Sequence, residues 1–396
     1  MATVIELGAV EGFILDDPIA GVLDNTVYTL GGTVFKDITS SVISATTSRG
    51  KNRDLDRFSA GTLNIVANNE DRAFDPNYAA SPYAGAIVPR REVRVTVDGE
   101  RVISTTIDDW NYSYTPDGNS RAEIIATDEF TLLARQVLTA GTATPQLSGA
   151  RVSAVLDMVS VAWPEDKRSI DTGESTFGAD EFDGNVLQYL QKVSESEQGL
   201  LFIAKNGDLV FRDRLDATPT TDSLTAFADD GTGIPFTLTA VNYGSELLYN
   251  QAIVTSGDLS AQADNDRSQI AYGVTSYELD TLVSTQAQLQ NIADFLVQKY
   301  GDPEYRFETI SVNLDTVGAA NKATVLGLEI GDVVSIKFTP NDIGDPIEQF
   351  GQIIRIGHEL EPSRHDMFIS VASLDWTFLV LDDAVFGTMG VNHLAF

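Results

Sequence analysis

The sequence predicts a β-rich α+β protein in which two β units flank a small helix-and-hairpin middle region. Three observations lead there. Alternating runs rich in β-branched and aromatic residues fill the chain from Val27 to Ile125 and again after Pro303. The period changes to helical spacing between them, and Asp-Gly, Asn-Gly and Pro-Asp-Gly turn signals punctuate the runs. At 396 residues the chain is two to three times a usual domain, so two or three packed units are expected.

In the first unit VYTL, GTLNIVA, REVRVTV, RVISTTI, DWNYSY and RAEIIAT read as strands. Asp98-Gly99 separates two of them as a tight hairpin requires, and Pro116-Asp117-Gly118-Asn119 supplies a longer turn; an antiparallel sheet or small barrel follows. The stretch from Asn68 to Pro89 is too long for a turn and is expected to project as a loop. Next, ARVSAVLDMVSVA (150–162) places Val152, Val155, Leu156 and Val159 at helical spacing and stops at Trp163-Pro164. A second helix fits Val186 to Glu197. GLLFIAKNGDLVFRDR then reads as two strands joined through Asn206-Gly207. Ser284 is expected to cap a helix reaching Tyr300, stopped by Gly301. After Pro303, FETISVNL, GDVVSIKFT, EQFGQIIRIGHEL and DMFISVASL restore the strand period. The expected divisions are 1–26, 27–145, 146–216, 217–302 with helix 284–300, 303–375 and 376–396.

Composition narrows the function. With 58 acidic against 26 basic residues the formal net charge is −32, which disfavours gripping a nucleic-acid backbone. The densest basic run, RGKNRDLDR (49–57), is interrupted by Asp54 and Asp56. An acidic wall has another use: it repels a polyanion and lets it slide without sticking. The absence of cysteine removes disulfides, thiolate nucleophiles and Cys-based metal sites together. No basic-then-apolar leader opens the chain and no run of apolar residues is long enough for a membrane span.

Enzymatic signatures are missing. Neither a nucleophile elbow, a zincin motif, a P-loop nor a dinucleotide fingerprint occurs. His358 and His365 in HELEPSRHD are seven positions apart across a strand turn, not at a helical ligand spacing; hairpin-end histidines paired with nearby carboxylates are the expected arrangement. The acidic doublets Asp16-Asp17, Asp108-Asp109, Asp229-Asp230 and Asp382-Asp383 are unremarkable among so many acids. DDGTG (229–233) lacks the closing acid of a calcium loop. No cofactor or metal is expected.

Aromatic residues say more. Trp110, Tyr112 and Tyr114 alternate along one strand, which suits core packing first and a carbohydrate-binding strip second. The termini carry matched phrases, FILDDPIAGVL from Phe13 and FLVLDDAVFGTMG from Phe378. Phe13, Leu15, Asp16, Asp17 and Gly21 at one end, and Trp376, Phe378, Leu381, Asp382, Asp383, Phe386, Gly387, Met389 and Phe396 at the other, are candidate protein-interface residues. Apolar surface of that size beyond the last strand must dock somewhere.

The stretches RDLDRFSAGTLNIVANNEDRAFDP, SPYAGAIVPRREVRV, DDWNYSYTPDGNSRAEIIATD, NVLQYLQKVSESEQGLLFIAKNGDLVFRDR and LEIGDVVSIKF followed by GQIIRIGHELEPSRHDMFISV cover most of the chain. Together they resemble minor tail proteins of long-tailed phages that infect actinobacteria, in the baseplate-hub or tail-associated family. The resemblance implies two tail-tube-like β-barrel domains flanking the middle region. It also implies a homotrimer offering six similar barrels to a sixfold tube at the distal end of the virion tail. The partners would be the tail tube or distal tail protein above, other minor tail or central spike proteins below, and DNA in transit without specific binding. The terminal phrases would then be docking segments. Such a protein is made in the host cytoplasm and is not an enzyme. The competing expectation is a receptor- or carbohydrate-binding tail protein using Trp110, Tyr112 and Tyr114 and the loop from Asn68; a hydrolase with acidic catalytic residues comes third.

Overall fold

In the computed structural model, residues 2–9, 18, 21–22, 33–215 and 224–374 are described. The terminal interface candidates lie outside them except Gly21, which sits in a turn.

The first unit is built from β1 (Thr3–Ala9), β2 (Val34–Asp37), β3 (Val42–Gly50), β4 (Ser59–Asn68), β5 (Glu92–Val97), β6 (Glu100–Ser113) and β7 (Arg121–Thr127). The middle holds α1 (Phe130–Arg135), β8 (Thr142–Ala143), β9 (Gln146–Leu147), α2 (Ser148–Leu156), β10 (Arg168–Ile170), β11 (Thr176–Phe177), β12 (Asp180–Glu181), α3 (Val186–Glu197), β13 (Leu200–Ile203) and β14 (Leu209–Arg212). After β15 (Thr225–Ala228) and β16 (Leu238–Tyr243) comes a compact segment of β17 (Gln251–Ser256), β18 (Leu259–Asp264), α4 (Asp266–Tyr272), β19 (Ser276–Asp280) and α5 (Gln286–Tyr300). The last elements are β20 (Tyr305–Asn313), α6 (Ala319–Gly327), β21 (Val333–Phe338), β22 (Ile347–Glu361) and β23 (Arg364–Ser373).

Local chemistry explains these elements. At the β5–β6 hairpin Asp98 and Gly99 both take positive φ, 49° and 92°, as a tight two-residue turn demands. Helix α3 starts where the Asn185 side chain accepts the Gln188 N–H at 2.9 Å and buries Val186, Leu190 and Val193. Helix α5 is capped by Thr285, one residue later than expected; the Ser284 hydroxyl instead donates to the Thr176 carbonyl. Helix α2 ends at Leu156, so Val159 lies outside it and is 98% exposed rather than on the apolar face. RVISTTI and DWNYSY form one strand, not two, because a bulge between Ile107 and Asp109 absorbs the break in alternation. The stretch from Asn68 does not project: Phe74, Ala86 and Asn69 are fully buried, and successive turns fold it back over the first unit.

The two β units are joined edge to edge in one thirteen-stranded sheet, ordered β16-β20-β23-β22-β3-β4-β7-β6-β5-β1-β2, with β21 branching from β22 and carrying β15. The first unit reads β3-β4-β7-β6-β5-β1 and the second β16-β20-β23-β22-β21-β15. In chain order these are the same arrangement of six strands, used twice. The repeat extends to single hydrogen bonds. Arg90 N–H donates to Ile107 O at 2.7 Å and Ile107 N–H to Arg91 O at 2.8 Å; Gly331 N–H donates to Ile353 O and Ile353 N–H to Asp332 O, both at 2.8 Å. Arg90 and Gly331 both have positive φ, and a bulge follows each corner, between Ile107 and Asp109 and between Ile353 and Arg355. The units differ in two ladders: β1 is antiparallel to β5, whereas β15 is parallel to β21, and β1 also carries β2 at the outer edge, where no described strand pairs β15.

Both units curl. Strands β2 and β3 stand at opposite ends of the first unit's order, about 29 Å apart if the sheet were flat, yet residues 38–41 between them span at most about 17 Å. Ile38 N–H donates to Ile5 O at 2.9 Å as the chain crosses. In the second unit Ile234 bonds to β15 while Thr237, three residues on, donates to Ser311 of β20, so these strands are also drawn round toward each other. Among the described residues no ladder closes either unit into the expected barrel; in the first unit the free side of β3 is taken by β22 instead.

Packing divides into two cores. One joins both β units and includes Leu63, Ile65, Ile124, Phe307, Ile310, Ile356 and Ile369. The other joins the helix-and-hairpin region to the β17–β19 and α5 segment, through Val152, Leu190, Phe211, Ala252, Leu289 and Leu296. No helix among the described residues is long and apolar enough to cross a membrane.

Candidate functional site: the junction of the two β units

The feature that organises the molecule is the antiparallel ladder between β22 and β3, running from Arg355 opposite Gly50 to Leu360 opposite Ala45. It sets how one repeat stands against the next. At its start Lys51 N–H donates to Ile354 O at 2.9 Å, and Gly50 adopts φ +119° where any Cβ would lie 2.1 Å from that same carbonyl.

The loop that follows is the basic run, and its cations are spent on holding the units together. Arg49 pairs with Glu329 at 2.7 Å and donates to Ile203 O at 3.2 Å. Arg53 meets Glu246 at 2.7 Å, and Arg57 meets Glu195 of α3 at 2.5 Å. Asp54 accepts from Lys299 at 2.7 Å and from the Tyr300 hydroxyl at 2.6 Å. Burial works against ionising Asp54, but Lys299 and Lys51 outweigh it and hold the carboxylate below its usual range. Burial and the adjacent Asp54 push the Tyr300 hydroxyl well up. One loop thus ties the sheet to α3, α5, the β13–β14 hairpin and the approach to β21. Sequence exposes the charges of this run but not their partners, which come from five distant segments.

The histidines also belong to this junction. His358 faces Thr47 in the β22–β3 ladder, and its Nδ1 lies 2.9 Å from Nε2 of His365. They pair with each other, as the β22–β23 register brings both rings into the core, and the backbone N–H of His365 donates to Asp315 at 2.8 Å. One nitrogen donates and the other accepts, so the contact suits neutral rings and becomes donor against donor when both are charged. Burial pushes His358 well below its ordinary value, and burial takes His365 down to about 4. The unfolded chain binds protons near 6.5 while the folded pair resists them, so stability is present above that pH and is lost as pH falls toward 4. For His365 alone this amounts to about 3 kcal/mol. Urea midpoints at pH 7, 5.5 and 4.5 should fall with acidification. In the His358→Leu/His365→Leu variant the fall should be shallower; equal slopes in both proteins would refute the assignment.

The remaining candidates fall elsewhere. Trp110 and Tyr112 are half-buried against the first core, with Trp110 6.2 Å from Phe74, and Tyr114 lies beyond the end of β6, 53% exposed and stacked on Tyr112. The three rings are therefore not an open platform. Asp230 caps its own turn through the Thr232 N–H at 2.9 Å and meets Lys337 at 3.0 Å. A cleft of about 420 Å³ between the first unit and the middle region is lined by Arg90, Glu129, Trp163 and Lys167. Several of its polar groups are engaged: Arg90 with Asp108 at 3.6 Å, Lys167 with Asp208 at 3.7 Å, and Trp163 Nε1 with Lys167 O at 2.8 Å. Among the described residues no cluster of His, Asp and Glu is arranged to hold a metal ion.

Sequence reasoning missed Glu197. It is fully buried at the end of α3, accepting from Ser148 Oγ at 2.7 Å, Ser175 N–H at 2.8 Å, Glu174 N–H at 3.2 Å and Arg214 Nε at 3.2 Å. Its signal was present: Glu197 continues the 186, 190, 193 series of the apolar face.

No protein-family model matches the chain, and no curated protein matches it. Solved structures do. The chain is similar to a 43 kDa tail protein of prophage MuSo2 from Shewanella oneidensis (TM-score 0.57, 14% identity, 94% of this chain and 98% of that one). It is also similar to a tail protein from Neisseria meningitidis MC58 (TM-score 0.60, 11% identity, 94% and 96%). A third is the prophage tail protein gp18 from Listeria monocytogenes EGD-e (TM-score 0.51, 12% identity, 93% and 94%). At these identities the likeness is one of fold, and it extends over nearly the full length of each protein.

Proposed function

We propose that this chain is a structural component of a phage tail tip. Three copies would form a ring of six similar β modules that closes the distal end of the tail tube. The observation that carries this reading is the twice-used strand order, with its duplicated corner hydrogen bonds and bulges, inside one polypeptide. A chain with two equivalent modules matches a sixfold tube as three copies, and a head-to-tail arrangement closes without leaving free edges. The full-length likeness of fold to three tail proteins supports the same reading.

Charge fits the role. Three chains bring three times −32, or −96, formal charges, and acidic side chains around a lumen would let DNA pass without adhering. The ring would contact the tube or distal tail protein above and minor tail or spike proteins below, with the terminal Leu-Asp-Asp phrases as docking segments. Catalysis has no part in this role.

The expected mass in solution by light scattering is about 128 kDa, three times 42.8 kDa, and averaged electron micrographs of the particle should show threefold symmetry with six similar lobes. A stable single-chain mass at the highest concentration reached, or copies lying off the tail axis, would exclude the ring.

A further inference from the structure

The repeat makes a more specific statement about the contact between copies, resting on the ring reading above. Within the chain, the second half of β22 receives β3 on the side away from β23. The strand equivalent to β22 is β6, and the strand equivalent to β3 is β16. Both have that side open: beyond Ile107 no described strand pairs β6 except β7, and no described strand pairs β16 except β20. We propose that β6 of one copy receives β16 of the next as an antiparallel ladder, repeating between chains the junction that β22 and β3 make within one.

The register follows from superposing the two corners. Ile107 corresponds to Ile353 and the bulged Asp108 to Ile354, so Asp109, Trp110, Asn111, Tyr112 and Ser113 take the places of Arg355, Ile356, Gly357, His358 and Glu359. Across the ladders β4–β7 and β20–β23, Asn64 and Thr309 occupy equivalent places, which puts Ala240 where Thr46 stands and Gly244 where Gly50 stands. Transferring the β22–β3 pairing places Ser113 opposite Ala240 of the next copy, Tyr112 opposite Val241, Asn111 opposite Asn242, and Trp110 opposite Tyr243.

Three features of the free edges agree. Leu-Thr-Ala-Val-Asn-Tyr of β16 has no charge, proline or lysine, the devices that ordinarily keep an edge strand from pairing. Tyr243 is 66% exposed in the single chain, and the ladder would lay it beside Trp110, whose buried indole N–H has no acceptor. Gly244 lacks the constraint of Gly50: a Cβ there would approach only side-chain atoms of Asn242, as expected if the strand that crowds it belongs to another molecule.

The chain has no cysteine, so engineered pairs report without background. In Asn111→Cys/Asn242→Cys, mild oxidation should yield covalent dimers and trimers on non-reducing gels, while each single variant yields none. The off-register pair Asn111→Cys/Ala240→Cys should cross-link roughly ten-fold less, since a two-residue slip exceeds disulfide reach. Gly244→Val should keep the melting profile of the single chain and lose assembly. Mass is measured on the same samples. A three-chain particle whose Asn111→Cys/Asn242→Cys form does not cross-link overturns the edge pairing and spares the ring; a single-chain mass overturns both.

Discussion

Gly50→Ala is expected to destabilise the protein by about 3–5 kcal/mol, combining a disallowed backbone region with a hard overlap. The alanine Cβ would lie 2.1 Å from Ile354 O and 2.7 Å from Arg355 Cα, both backbone atoms, so no rotamer change relieves it. That carbonyl is also the acceptor for Lys51 N–H, and the loop beginning there carries Arg53, Asp54 and Arg57 to their partners. Displacing it should loosen the β3–β22 ladder before either unit melts. Hydrogen exchange should therefore speed most at β3 and the second half of β22, with β5 and β6 less affected. Gly344→Ala separates the two contributions: its φ is +83° but its Cβ would meet nothing within 4 Å, so only about 1 kcal/mol is expected. If both variants lose the same stability in urea, steric closure of the junction is not what Gly50 provides.

The sequence displayed the local rules plainly and the long-range ones hardly at all. Asp98-Gly99, Asn206-Gly207 and the helix from Val186 to Glu197 were legible because each depends on residues a few positions apart: a turn needing positive φ, a cap, an apolar face. The long β6 was misjudged as two strands since a bulge at Asp108 reverses the alternation without ending the strand. The duplicated strand order left almost no mark, because equivalent places carry unrelated side chains. Trp110 stands where Ile356 does, Tyr112 where His358 does, and Arg90 turns a corner that Gly331 turns elsewhere. What the repeat preserves is backbone geometry, and hydrogen bonds between strands constrain residue type only weakly. The rhythm of two similar β units was visible; their common topology, and the open edges that follow from it, required the pairings themselves. Two strands of the second unit, β15 and β16, lie before the β17–α5 segment, so chain order conceals which unit they join.

Glu197→Ala should cost about as much as the glycine substitution, for a different reason. Breaking a buried ion pair by removing one partner typically costs about 3–5 kcal/mol, since the other charge stays buried and loses its counter-ion. Here Arg214, 7% exposed, would lose the carboxylate at 3.2 Å, while Ser148 Oγ and the Ser175 and Glu174 N–H groups would lose their acceptor. These groups join the start of α2, the segment just before β11, the end of α3 and the chain leaving β14, so the damage should concentrate in the second core. Trp163 lies in that core and its fluorescence should report the loss, whereas exchange in β4 and β7 should change little. Glu197→Gln, keeping shape but turning a donor toward donors, should cost about 1–3 kcal/mol. The double variant Glu197→Leu/Arg214→Met discriminates between charge and packing. If the burden is the loss of this carboxylate by Arg214, which keeps its bond to Ser175 Oγ at 2.6 Å, removing the guanidinium as well should recover part of the loss seen in Glu197→Ala. If the double variant is the sum of the single ones, Glu197 acts through its backbone and hydroxyl donors instead, and the pair is incidental to the stability of the middle region.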